Sequence, residues 1–166
     1  MTELEKENPV DPKVAAYRQR RRFVFEQLFM CQFYPPEEVD GQLENLVCNE
    51  DLMEELEEND LPAEDVAALK EKAARIMACR EELDARIDEV ATGWKTSRMG
   101  RTELSLLRQA LYEILYESDT VPYRVAINEA VEMAKIYGEK DAPGFVNGVL
   151  GRLVRSMGLA EDGPGA

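Results

Sequence analysis

Val121-Pro-Tyr-Arg-Val-Ala-Ile-Asn-Glu-Ala-Val-Glu-Met-Ala-Lys-Ile-Tyr-Gly138, a short turn, and Phe145-Val-Asn-Gly-Val-Leu150 decide how this chain folds. Pro122 suits the first turn of a helix, where its missing N–H costs nothing, and Gly138 stands where a helix would stop. Asp141 is placed to cap a following helix with Pro143 in its first turn. In that helix Val146, Val149, Leu150, Leu153, Val154 and Met157 recur at spacings of three and four. Two consecutive helices with a tight connection are therefore predicted. Working outward, no stretch alternates apolar and polar residues as a strand would, so the fold class is all-α.

Upstream, Leu104, Leu107, Leu111, Ile114 and Leu115 mark an amphipathic helix from about Arg101 to Glu117, broken by Ser118-Asp119-Thr120. A longer run is capped by Asp60, has Pro62 and Glu64-Asp65 in its first turn, and reaches about Val90. Its inward stripe is Val66, Leu69, Ala73, Ile76, Leu83, Ile87 and Val90, with a break allowed at Ala78 to Arg80. Two short acidic helices fit between 39 and 58. The first helix spans 13–33 and is stopped by Pro35-Pro36. On it Val14, Tyr17, Arg21, Val24, Leu28 and Cys31 form one row and Phe25, Phe29 and Phe33 a second, so its carboxyl half is buried and its amino half basic. The resulting organisation is a flexible acidic arm (1–12), an N-terminal helical subdomain (13–91), a C-terminal helical subdomain (92–157) and a flexible tail (158–166), about seven helices in all.

The chain has 166 residues and a net charge of −14, and it contains no histidine. Ser-His and Cys-His nucleophile chemistry is thereby excluded. Cys31, Cys48 and Cys79 are odd in number and unpaired in spacing, as reduced structural thiols are. No zinc ligand set and no cofactor is expected. No apolar run has the length of a membrane span, the amino end is no signal peptide, and a cytoplasmic protein with no membrane contact is the expectation.

The charge is unevenly spread. Residues 37–90 hold nineteen acidic and five basic side chains, whereas Lys13 to Pro36 holds five basic and one acidic. A locally basic surface therefore survives in an acidic protein. Arg18, Arg20, Arg21 and Arg22 supply guanidinium forks that match phosphate oxygens and stack on bases. The competing reading pairs these arginines with the acidic middle segment of the same chain. The run Glu54-Glu55-Leu56-Glu57-Glu58 is read as a solvated face and not as a cation site, because a helix spreads such carboxylates apart. Asn128, Glu129 and Asn147, beside apolar stripes, read as scaffold groups that cap or cross-link helices. Phe145, opening the last helix where backbone N–H groups favour phosphate, reads equally as a base-stacking ring or as the first core residue.

Together these residues closely resemble the NusB family of bacterial transcription antitermination factors. The motifs are Arg20-Arg-Arg-Phe-Val-Phe-Glu-Gln-Leu-Phe-Met-Cys-Gln32, Trp94 with Arg98, Leu107-Arg-Gln-Ala-Leu-Tyr-Glu113, Val121-Pro-Tyr-Arg-Val-Ala-Ile-Asn-Glu-Ala130, Ala134-Lys135 and Phe145-Val-Asn-Gly-Val-Leu150. The match is dense from Trp94 to Leu153, moderate from Tyr17 to Phe33, and faint from Glu37 to Val90. The resemblance implies two packed helical subdomains without enzymatic activity. It further implies binding to single-stranded boxA RNA of nascent ribosomal RNA leaders together with NusE, a small-subunit ribosomal protein, within a larger assembly of other Nus factors and RNA polymerase. By position, Arg18, Arg20, Arg21, Arg22, Phe29, Gln32, Asp141 and Phe145 would contact RNA and Glu103 would face the protein partner. Homodimers also occur in the family. Phe29 lacks the hydroxyl of the family's usual Tyr, the arm before Lys13 is longer than the family minimum, and Pro143-Gly144 replaces more polar neighbours of Phe145, so RNA binding is expected to lean on the partner.

Two other readings stand beside this one. A protein-only acidic helical adaptor would pair the Arg cluster internally. A stand-alone relative of the NusB-like domain of an rRNA cytosine methyltransferase would need an α/β domain with a glycine-rich cofactor loop, which this sequence lacks.

Overall fold

The computed structural model describes residues 11–39, 41 and 63–159. Among these, six α-helices and two short 3-10 turns are formed and no strand. We number the helices α1 (Pro12–Cys31), α2 (Ala63–Ala78), α3 (Arg80–Val90), α4 (Arg101–Tyr116), α5 (Tyr123–Tyr137) and α6 (Ala142–Ser156). Most of the acidic helices expected over 39–58, the Asp60 cap, the run 54–58, Cys48, and most of the arm and the tail lie outside the described residues.

The first helix begins one residue earlier than its sequence suggests. Asp11 is its N-cap, accepting from the Lys13 amide at 2.8 Å, and Pro12 takes the first helical position. It ends at Cys31, before Pro35-Pro36 is reached. The long run from Ala63 does break, at Cys79, whose amide is shared between the Arg75 and Ile76 carbonyls. At the far end Gly158 adopts φ +74 and the Leu159 amide returns to the Val154 carbonyl at 2.9 Å, closing α6 with a left-handed glycine.

Helix α4 is the centre of the molecule and packs against each of the other five. Its periodicity suggests an amphipathic surface helix, yet Leu104, Ser105, Leu106, Leu107, Arg108, Gln109, Ala110, Leu111, Tyr112, Glu113 and Ile114 are all buried. A single core runs through all six helices, from Val24, Phe25 and Leu28 through Ile76, Leu83 and Leu107 to Ala130, Val149 and Leu150. Each such aliphatic or aromatic side chain contributes about 1.5–3 kcal/mol relative to exposure.

The polar groups on α4 are buried because partners meet them there. Arg108 makes a two-pronged bond to Asp84 of α3, at 2.8 and 2.7 Å. Gln109 donates to the Arg21 carbonyl at 3.1 Å. Between α5 and α6, Gly138 is the helix terminus predicted, but its φ of −95 is ordinary extended backbone. Its glycine is required by proximity instead, since a Cβ there would lie 2.5 Å from the Ala142 Cβ and 2.8 Å from the Ala134 carbonyl oxygen. That close approach sets α6 directly against the end of α5.

Candidate nucleic-acid interface

The four arginines of α1 separate into different environments. Arg18 donates through Nε to buried Glu129 of α5 at 3.2 Å, while its own side chain stays 43% exposed. Arg20 meets Asp65 at 3.0 Å with both groups half exposed, and Arg22 meets Glu26 one turn along at 3.3 Å. Exposed pairs of this kind contribute about 0–1 kcal/mol, so Arg20 and Arg22 can exchange a carboxylate for a phosphate at little cost. Arg18 bonds Glu129 only through Nε, which leaves its terminal nitrogens as further donors.

Arg21 differs, and the reading that gave it to RNA is corrected by the geometry. Its side chain is 3% exposed and forms an ion pair with Glu113 of α4, which is 1% exposed. It also donates to the Tyr17 hydroxyl at 3.2 Å, with its guanidinium 5.6 Å from the centre of that ring. Lys72 of α2 reaches the same Glu113 oxygen at 3.1 Å. Burial works against the Arg21 charge, but Glu113 and Tyr17 outweigh it and its pKa is raised above the ordinary arginine value. The guanidinium ties α1 to α4, Lys72 joins α2 to the same Glu113, and an arginine enclosed and paired in this way cannot reach a phosphate. Arg21 is thus paired internally, with a partner on α4, while of the four arginines it is Arg20 that meets the acidic middle segment, through Asp65.

At the carboxyl end of α1, Phe29 is partly buried between Phe25 (centroids 6.1 Å) and Phe33 (5.3 Å, edge-on). Gln32 spends its amide nitrogen on the Arg101 carbonyl at 2.8 Å and the Ser105 hydroxyl at 2.5 Å. Gln32 therefore fastens the end of α1 to the start of α4, while Phe29 packs against the core. Phe33, at 58% exposure, carries the Arg101 guanidinium over its ring at 4.4 Å.

The richest site surrounds the start of α6. Trp94, Arg98, Met99, Gly100, Glu103, Glu139, Asp141, Ala142 and Phe145 line a cleft of about 350 Å³. Trp94 is 59% exposed and meets Phe145 edge to face, centroids 6.2 Å apart at 72°. Gly93, at φ +84, turns the chain after α3, and the Trp94 amide donates to the Ala91 carbonyl at 3.0 Å. Asp88 accepts from the Thr96 amide at 2.7 Å and its hydroxyl at 3.1 Å, fixing the turn that carries Arg98.

Asp141 occupies the N-cap position predicted for it, but its side chain makes no capping bond and remains exposed. The Glu103 carboxylate folds back against Gly100 at the start of α4. A second cleft, containing Gln32 and Arg101, shares the Met99-Gly100 wall. Another, lined by Arg18, Arg22, Ile136 and Tyr137, leads toward the α5–α6 turn. Sequence motifs had included Trp94 and Arg98 without giving either a role. Their only local signal is a lone tryptophan after a glycine, and its pairing with Phe145 is a long-range contact.

The model of the NusB family matches residues 18–155. The chain belongs to the NusB family. It is 42% identical over 133 residues to the transcription antitermination protein NusB of Agathobacter rectalis, covering 80% of this chain and 95% of that protein. With the Carboxydothermus hydrogenoformans protein of the same name it shares 38% over 138 residues, covering 82% and 91% respectively. Among solved structures, T. maritima NusB superposes with a TM-score of 0.68 at 28% identity, covering 83% of this chain and 89% of that one. A chain in a crystal structure of a plectonemic RNA supercoil gives 0.64 at 22% identity over 88% of this chain and 99% of that one, a likeness of fold alone.

Within this NusB-family scaffold the three polar residues read as cross-links part ways. Glu129 is buried and bonded to Arg18, as a scaffold group should be. Asn128 and Asn147 are exposed, line a shared groove between α5 and α6, and make no side-chain hydrogen bond with the described residues. Capping is therefore not their role. No helix among the described residues is long and apolar enough to cross a membrane.

Proposed function

We propose that this NusB-family protein is a cytoplasmic transcription antitermination factor. It binds single-stranded boxA RNA of nascent ribosomal RNA leaders together with NusE, and it joins other Nus factors to help RNA polymerase read through terminators. One observation carries the RNA reading: Arg18, Arg20 and Arg22 keep 41–43% of their side chains exposed on one helix of a chain whose net charge is −14. These guanidinium groups take phosphates, and the Asp141–Phe145 rim takes bases. Phe29, Gln32 and Arg21 support the surface from within, and Glu103 is assigned to the protein partner.

The test is a binding series with boxA RNA, with and without NusE, over a range of salt concentrations. Single-strand contacts lower the log–log salt slope by about 0.7 each. Replacing Arg18, Arg20 and Arg22 by alanine should therefore weaken binding and reduce the slope by about two. Absence of RNA binding at physiological salt even with NusE present would favour the protein-only adaptor, in which the arginine pairs serve the fold alone.

A further inference from the structure

We propose that the cleft beside Trp94 receives one unpaired RNA base, stacked on the Trp94 ring against Phe145. We further propose that the carboxylates of Glu139 and Asp141 select a base with an amino group, guanine first. The inference rests on the RNA reading above and adds to it a contact residue and a preference among bases.

Scattered exposed apolar side chains are normal on a protein surface, but Trp94 is not an isolated one. It is held 59% exposed in an edge-to-face pair with Phe145, at the mouth of a cleft. The Gly93 turn and the Asp88–Thr96 bonds fix one wall, and the first turn of α6 fixes the other. A rigid aromatic platform of this kind binds without first having to be ordered. Unpaired bases are recognised on such rings in single-stranded RNA.

The charge around the rings decides which part of the nucleotide enters. Glu103, Glu139 and Asp141 line the cleft against the single cation Arg98. Three carboxylates repel a phosphate, so the backbone must stay outside. Arg98, exposed and without a carboxylate partner among the described residues, is suited to the flanking phosphate. A carboxylate only accepts hydrogen bonds, so the base edge it reads must donate. Guanine presents adjacent ring N–H and amino donors that one carboxylate bridges with two bonds. Adenine and cytosine each offer an amino group. Uracil offers one N–H flanked by two carbonyl oxygens, which repel a carboxylate.

Trp94 is the only tryptophan in the chain, so its emission reports on this cleft. Under the conditions that give boxA binding, the protein is titrated with an all-uridine oligomer and with the same oligomer carrying one guanosine. Binding is followed independently by the anisotropy of labelled RNA. Quenching of Trp94, with tighter binding of the guanosine oligomer, is expected. Trp94→Ala should weaken that oligomer about tenfold or more, whereas Trp94→Phe retains most of the affinity. Glu139→Gln combined with Asp141→Asn should keep the quenching and erase the guanosine advantage. RNA binding with unchanged Trp94 emission, or equal binding by Trp94→Ala and the parent protein, overturns this inference and leaves the RNA reading intact. Absence of any anisotropy change, with boxA RNA included, overturns the reading on which it rests.

Discussion

Replacing Arg21 by alanine should unfold this protein more readily while leaving its RNA surface largely unaltered. The substitution strips Glu113, 1% exposed at the centre of α4, of its buried guanidinium partner. Breaking a buried pair from one side costs about 3–5 kcal/mol, because the surviving charge is left without compensation. Lys72 still reaches Glu113 at 3.1 Å and is 16% exposed, so water and one cation remain available. The lower end, about 3 kcal/mol, is therefore expected, which is a large share of the roughly 5–15 kcal/mol that stabilises a typical domain. For a chain of this size that corresponds to a fall in Tm of about 6–12 °C.

Urea denaturation followed by circular dichroism measures it, with the midpoint falling at constant slope. Replacing both partners, Arg21→Met with Glu113→Leu, should recover most of the loss, since no buried charge then remains. A cost below about 1 kcal/mol for Arg21→Ala would refute a buried, paired Arg21. So would a loss of RNA affinity equal to that of Arg18→Ala or Arg22→Ala, measured where the variant is fully folded.

Two contrasting glycines give a second check: Gly138→Ala drives a Cβ into Ala142 and the Ala134 carbonyl and should cost about 1–3 kcal/mol. Gly148→Ala, whose new Cβ would meet nothing nearer than 3.9 Å, should be neutral or stabilise by up to about 1 kcal/mol, both read from thermal melts. Arg108→Ala removes the paired bonds between α4 and Asp84 of α3 and should cost about 2 kcal/mol in the same assay. Asp84→Ala should cost at least as much, because it leaves Arg108, the more buried partner at 9% exposure, as an unpaired charge, whereas Asp84 at 24% exposure keeps access to water.

The sequence determined the all-helical class and most helix limits through local chemistry. Pro122, Gly138 and Pro143 act on their own backbone neighbourhoods, so their meaning does not depend on what packs against them. The three-four spacing of Val146, Val149, Leu150, Leu153 and Val154 likewise located the buried stripe of α6, and the motifs from Trp94 to Leu153 identified the family. Periodicity even put Arg21 on the apolar row with Val24 and Leu28, but the match of a guanidinium to phosphate placed it with the RNA-binding arginines. Spacing fixes the angles between side chains on a helix and says nothing about which of them a distant helix will cover. Only the tertiary structure decided that Glu113 would enclose Arg21 while Arg18, Arg20 and Arg22 stayed half exposed. It alone turned Asn128 and Asn147 outward, surrounded α4 on all sides, and set Trp94 against Phe145. Each of these depends on contacts between residues far apart in the chain, and those contacts exist only once the helices have packed.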